Sequence, residues 1–253
     1  MSGIWASRVR RAMRRSPSDV FYHGLLEWKA LRDRFRTSPI SKPAAKTLPS
    51  LFGASDISEL WNNISAQPFF LQTKIDKPAN FKKNLKGELD RILSEADEAM
   101  KYSFEFLGAS RSSQTSHLNW HLDFKNNVTW PLNFFRDIDV LDERRKSDIK
   151  IPWELSRLQW VTPVAQCYML NGDERYAEFV RDVLISWIDA NPYARGPNWA
   201  VTMEAAMRVY TWTWLFHVFH KSSAWSEINY KTKLLSALYE HGIFCKRYLE
   251  EFG

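Results

Sequence analysis

An all-α fold of packed helical hairpins is what this sequence predicts, on three observations. The chain has 45% apolar residues, enough for a sizeable core, but only nine Gly, too few for a β-rich fold with many tight turns. From residue 151 onward apolar residues recur at helical spacing in successive segments. Those segments are separated by Asn171-Gly172, Asn191-Pro192 and Gly196-Pro197, pairs that end helices and begin turns.

The elements follow in order. Ser16-Pro17-Ser18-Asp19 reads as a helix start with Ser16 as cap and proline at the first helical position, and Leu25, Trp28, Leu31 and Phe35 continue at helical spacing. The stretch 37–53, rich in Pro, Ser and Lys, reads as a loop or linker. A short helix is expected over 55–65 and a longer one over 80–107, followed by a polar, irregular segment to residue 127. One helix is expected over 152–170, closed by Asn171-Gly172. Asp173 caps the next, whose Tyr176, Val180, Val183, Leu184 and Trp187 form one apolar stripe. A third helix is expected from Asn198 to residue 220 and a fourth over 226–250. Met203, Met207, Tyr210, Trp212, Trp214, Leu215, Phe216 and Phe219 cover most of the third helix, which should therefore be more buried than the second. Buried helices alternating with half-exposed ones are what an α/α toroid or superhelix requires.

The formal charge of +6 is unevenly placed. Residues 1–46 hold eleven Lys/Arg against three Asp/Glu, and residues 47–253 hold 24 against 26. The basic character belongs to Arg8, Arg10, Arg11, Arg14, Arg15 and the helix after them. It reads as a solvated basic arm, with nucleic acid, an anionic membrane or an acidic glycan as the functional alternatives. Cys167 and Cys245 lack a C-x-x-C partner and read as buried free thiols. No apolar run approaches the ~20 residues that span a bilayer, so no transmembrane segment is expected. The N-terminus has charge without an apolar core, so no signal peptide is read in this chain. There is no Gly-rich phosphate loop, nucleophile elbow or nucleotide fingerprint. His117-x-x-x-His121 followed by Asp123 imitates metal-ligand spacing, but without a third ligand no metal and no cofactor is expected.

Leu118-Asn119-Trp120-His121-Leu122-Asp123-Phe124, then the stretch from Ile151 to Gln159 with Trp153-Glu154 and Arg157, then Asn171-Gly172-Asp173-Glu174-Arg175-Tyr176, and finally Asn198-Trp199 with Met203-Glu204 and Arg208, resemble successive segments of the heparinase II/III-like polysaccharide lyases. The resemblance covers residues 80–253, leaving 1–79 as a basic helical lead-in and linker. It implies an incomplete (α/α) toroid followed, in a complete protein, by a C-terminal β-sandwich domain. It also implies β-elimination at a uronic acid in an acidic polysaccharide, and a periplasmic location, with the cytoplasm as the alternative. That chemistry needs a donor to neutralise the carboxylate beside the acidic carbon, a base, and an acid for the leaving oxygen.

The resemblance implies Asn198 as the neutralising donor, and Gly196-Pro197 before it suggests a helix N-terminus, where backbone N–H groups favour an anion. The competing reading makes Asn198 an ordinary helix cap. It is expected on an open concave surface near Trp153 or Arg157. Trp120, His121, Trp153, Arg157 and Trp199 are the expected substrate-binding residues, with Trp120, His121 and Phe124 either stacking on sugar rings or packing their loop onto the body. Glu154 with Arg157 and Glu204 with Arg208 are spaced to pair on one helix face and to support the cleft, or simply to tie helices together. His217 and His220 read as packing or capping residues. The family's catalytic Tyr and His are expected beyond residue 253. The fragment alone is therefore expected to be inactive, with Phe244 and Leu249 on an exposed patch. A non-catalytic glycan-binding or scaffold toroid is the alternative function. Nucleic acid is not an expected partner.

Overall fold

The structure is a computed structural model that describes residues 17–35, 44–69, 71, 79, 83, 85–111, 118–141 and 145–249. The arginine run at 8–15, the Ser16 cap and His117 lie outside the described residues. The helices are α1 (Pro17–Asp33), α2 (Ala44–Leu51), α3 (Ile57–Ser65), α4 (Lys86–Met100), α5 (Lys150–Ser156), α6 (Thr162–Asn171), α7 (Glu174–Ala190), α8 (Thr202–Phe219) and α9 (Ile228–Arg247). Strands β1 (Phe104–Phe106) and β2 (Ala109–Arg111) form one short antiparallel pair, and β3 (Leu122–Asp123) and β4 (Val128–Thr129) another. The all-α class holds.

The expected pairs α6–α7 and α8–α9 are present. Gly172 takes the left-handed conformation (φ 69°) that closes α6, and Asp173 accepts from the Arg175 N–H to open α7. Helix α8 is buried along most of its length, whereas α7 buries one stripe of Ala177, Val180, Val183, Leu184 and Trp187. The burial expected for Glu204 and Arg208 on this helix holds, but that of Met203 and Tyr210 is overturned. Met203 and Tyr210 face outward, while Glu204 and Arg208 are sealed inside. A hydrophobic pattern that wraps a helix does not say which side meets water, and here the inner side carries the charges.

Three expectations need correction. The single helix over 152–170 is broken into α5 and α6, because Leu158 adopts a left-handed conformation and Pro163 lacks the N–H needed to continue the first helix. The C-terminal part of the helix expected over 80–107 is the β1–β2 hairpin. Phe104 and Phe106 favour a strand, and Leu107 and Gly108 both have positive φ (52° and 71°), as a two-residue type I′ turn requires. Residues 44–51, read as linker, form α2, whose Leu48 and Pro49 are buried.

The core is continuous from Leu48, Ile57, Leu60 and Trp61 to the rings of α7, α8 and α9. Trp61 packs edge-on against Phe216 and lies near Trp225, whose Nε1 donates to the Ala177 carbonyl at 3.0 Å. Ile92, Ala96 and Ala99 form the inner face of α4, and the small side chains let it lie close to α6. Phe244 is buried against Phe135, Trp199 and Tyr248, contrary to the exposed position expected for it, while Leu249 is exposed as expected. Cys167 is buried and Cys245 half-buried, both as free thiols.

The end of α1 is tied to the end of α9. Asp33 has no exposed surface and accepts from Arg247 Nη1 at 2.8 Å and from the Tyr248 hydroxyl at 2.9 Å. Removing one partner of such a buried pair leaves the other charge and a buried hydroxyl without an acceptor. Asp33→Ala should therefore lower unfolding free energy by about 3 kcal/mol, measured by urea denaturation. A loss within about 0.5 kcal/mol, the usual size for an uninvolved surface site, would show that the pair contributes little.

Candidate functional site

The candidate site is built around the turn Gly196-Pro197-Asn198-Trp199, which joins the loop after α7 to α8. Gly196 has φ +83°, and a Cβ there would lie 3.1 Å from Leu132 Cδ2 and 3.6 Å from His121 Nε2. Glycine is required for the conformation, and any side chain there would press on Leu132, while His121 would be only in ordinary contact. Residues 197–199 form a short 3-10 turn, and α8 begins only at Thr202. Asn198 is thus not the cap of a long helix, and it does not sit on an open surface. Its side chain is 0% exposed.

What fills its place is an amide network. Asn198 Nδ2 donates to the Trp120 carbonyl at 3.0 Å and to Asn191 Oδ1 at 2.8 Å. Asn191 Nδ2 in turn donates to the Trp187 carbonyl at 2.8 Å, which fixes the orientation of that amide. Asn191 Oδ1 lies 3.0 Å from His121 Nε2, so this ring nitrogen carries the proton. Its other nitrogen, Nδ1, is left with its lone pair. Burial pulls the His121 pKa below its usual value, with the bond to Asn191 opposing, and keeps the ring neutral. His121 is 8% exposed, so it is the member of this network nearest to solvent.

The loop carrying His121 is held by Asp123. Its Oδ1 accepts from the Lys125 and Asn126 N–H groups at 3.0 and 3.2 Å. Its Oδ2 accepts from Asn126 Nδ2 at 2.8 Å, Ser147 Oγ at 2.9 Å and the Asp148 N–H at 2.7 Å. Burial would raise the Asp123 pKa, but these donors outweigh it and hold the carboxyl ionised. Trp130 donates to Ser147 Oγ at 2.9 Å and so joins the same knot.

Beside the turn, Trp153 on α5 donates through Nε1 to the Pro197 carbonyl at 2.8 Å, which places it next to Asn198 as expected. The bonds of Arg157 go to carboxylates. Its Nε and Nη2 form a two-pronged pair with Glu204 at 2.8 and 2.6 Å, and its Nη1 meets Glu154 at 2.5 Å. The Glu204 carboxylate holds the guanidinium above its usual pKa despite burial. Glu154 therefore pairs with Arg157 as the spacing implies, but Glu204 crosses from α8 to α5 instead of meeting Arg208. The side chains of Arg157 and Glu154 are 19% and 27% exposed, so this pair borders solvent.

Arg208 is sealed between rings, 4.7 Å from the Trp187 centroid and 5.4 Å from that of Trp199. Its Nε donates to His241 Nε2 at 3.0 Å, and His241 Nδ1 donates to the Ala237 carbonyl at 2.7 Å. This fixes His241 as the neutral tautomer with its proton on Nδ1. Burial lowers the Arg208 pKa to about 9, with Glu204 opposing, which leaves it charged at neutral pH.

Trp120 and Trp199, expected to meet sugar, are core residues. Trp120 donates to Ser186 Oγ at 3.0 Å, and Trp199 packs 4.5 Å from the His241 ring. Rings enclosed on both faces have nothing left to offer a ligand. Phe124 packs near Phe104 and Phe106, so the loop lies on the body. His217 stacks on Phe69, and His220 contacts the His217 carbonyl, both packing roles. Among the described residues no group of three His, Cys, Asp or Glu is placed to hold a metal ion. Asn191 and His241 were missed by the sequence reading. Asn191 reads as a turn residue before proline, and nothing in the pattern marks it or His241 as a partner.

The neutral His241 gives a pH dependence. Above pH ~6.5 both folded and unfolded chains hold this ring neutral, but below it the unfolded chain binds a proton that the folded core excludes. Stability should therefore fall as pH drops from about 7.5 to 5.5, and fall less steeply in His241→Gln, which titrates nothing. Urea midpoints across that range measure it, and identical slopes in both proteins would remove His241 from the account.

Comparison with known proteins adds the following. Residues 64–253 match the family described as Heparinase II/III N-terminus. A heparin-sulfate lyase of Bacteroides stercoris is 29% identical over 125 residues, covering 49% of this chain and 16% of that enzyme. This chain thus matches only a small part of that relative's length. No solved structure matches it significantly.

Proposed function

Because this chain belongs to the heparinase II/III N-terminus family, we propose that it is the helical portion of a polysaccharide lyase, with a uronate-containing acidic polysaccharide as substrate. The observation that carries the reading is the convergence of Asn198 and His121 on one acceptor, Asn191 Oδ1, at the Gly196-Pro197 turn. In β-elimination a base takes the C5 proton and the C–H electron pair becomes the C4–C5 double bond. The C4–O bond breaks and the leaving oxygen takes a proton from an acid. The negative carboxylate on C5 opposes the first step, so a neutral donor aimed at it lowers the barrier most. In this reading Asn198 is that donor. It must exchange its bond to Asn191 for the substrate carboxylate, and Asn191 retains His121 as it does so. His121 Nδ1 accepts from a sugar hydroxyl. Arg157, whose side chain borders solvent, has N–H groups beyond those bonded to Glu154 and Glu204, and in this reading a substrate carboxylate or sulfate meets them. An (α/α) toroid around this turn, continued by a β-sandwich domain in a longer protein, is part of the same proposal.

A second reading, a non-catalytic glycan-binding scaffold, draws on the sealed position of Asn198, whose N–H groups are both occupied. Turnover separates the two. In the complete lyase, Asn198→Ala should lower kcat by about 10²–10³, the usual loss for one donor to a developing charge, with a smaller change in KM. Formation of unsaturated uronate, followed by its ultraviolet absorbance on a panel of acidic glycans, is the assay. Unchanged turnover would reduce Asn198 to a structural amide.

The network of Trp120, His121, Asn191 and Asn198 offers a donor and an acceptor but no acid for the leaving oxygen. Residues 1–253 by themselves should therefore release no unsaturated uronate, since losing a general acid or base costs about 10²–10⁴ in rate. Product from this chain alone would place the proton-transfer groups within it.

A further inference from the structure

Helix α1 is oriented against its own pattern. Phe21, Leu25, Trp28 and Leu31 fall within roughly 120° of arc at 100° per residue, a width that normally faces a core. Phe35, in the turn that follows, extends the same face. In the structure this face points to water. Phe21 is 70% exposed, Trp28 61% and Phe35 84%, and Leu25 and Leu31 are exposed as well. The opposite side, at Ala30 and Asp33, is the side that packs on the body. The helix is held in that orientation at its end by Asp33 with Arg247 and Tyr248, and by Arg34, which pairs with Asp137 and lies 5.5 Å from the Phe134 ring.

We propose that α1 is a docking face for an anionic lipid surface. Charge selects this occupant. The apolar face follows directly on Arg8, Arg10, Arg11, Arg14 and Arg15, and residues 1–46 carry a net +8 while the remainder is net −2. A bilayer with acidic headgroups is attracted by this end, while the near-neutral remainder offers it no net positive charge. Arg32 lies over the Trp28 ring at 5.6 Å, so a cation stands beside the largest exposed aromatic, as at a headgroup boundary. A soluble polyanion matches the arginines but has no use for a row of Phe, Leu and Trp. A second copy of this chain would bring two basic segments together. Arginines beside an apolar helical face that lies flat on the surface are the recognised combination for interfacial binding, and a single such helix gives reversible attachment.

The test is sedimentation of the full 253-residue chain with vesicles of phosphatidylcholine alone, and with about one third phosphatidylglycerol added. Binding is expected to the anionic vesicles only, and to weaken as salt shortens the Debye length from about 14 to 6 Å. Trp28→Glu with Phe35→Glu should cut partitioning at least about tenfold, with thermal midpoint and near-ultraviolet circular dichroism unchanged because both rings are exposed. Replacing Arg10, Arg11, Arg14 and Arg15 by Gln should lower partitioning about fivefold per arginine at low salt, with the thermal midpoint unchanged. Equal binding to neutral vesicles, no binding to anionic ones, or full binding by the Trp28→Glu, Phe35→Glu protein would overturn the proposal. So would a concentration-dependent dimer that this variant abolishes, or binding to acidic polysaccharide through the arginines without any binding to vesicles. The lyase reading is untouched by either result, since it is read from turnover at Asn198.

Discussion

A guanidinium with no exposed surface has to be compensated from within, and the position of Arg208 sets much of this molecule's interior. Leaving a charge buried and unpaired costs several kcal/mol. Among the described residues Arg208 has no direct carboxylate partner in hydrogen-bond range, and two of its nitrogens lack an acceptor. It relies on the faces of Trp187 and Trp199, the lone pair of His241 and the nearby charge of Glu204. Each of those groups comes from a different place. Trp187 is on α7, Trp199 is in the turn before α8, and His241 is on α9. Holding the cation therefore fixes three helices and the turn relative to one another.

The turn inherits its shape from this arrangement. Trp199 is clamped between Arg208 and the rings of Trp187, Tyr193 and Phe244, and the preceding Asn198 points inward. Once there, its amide must be satisfied. Asn191 and the Trp120 carbonyl provide the acceptors, while Asn198 Oδ1 stays buried without a partner. An unsatisfied buried oxygen costs about 1–3 kcal/mol.

The charged rim obeys a different rule. Glu204 reaches across to Arg157 because two parallel N–H···O bonds from a planar fork are worth more than an in-helix contact with Arg208. This leaves Glu154, Arg157 and Glu204 with more negative than positive charge. This rim therefore presents no broad positive field.

The sequence by itself determined the helical class, the two C-terminal hairpins, the Gly172 and Asp173 caps, and the closeness of Glu154 to Arg157. These depend on spacing and backbone preference, which act over a few residues and are written in the local pattern. It also marked the Asn198-Trp199 turn and the His121 loop as places to look. Only the tertiary structure decided which way they face. Trp120 and Trp199 became core, Glu204 chose Arg157 over Arg208, α1 turned its apolar side to water, and Asn191 and His241 acquired their roles. Each of these outcomes is a competition among partners far apart in the chain. It is settled by burial and hydrogen-bond satisfaction, quantities that have no value until the helices have met.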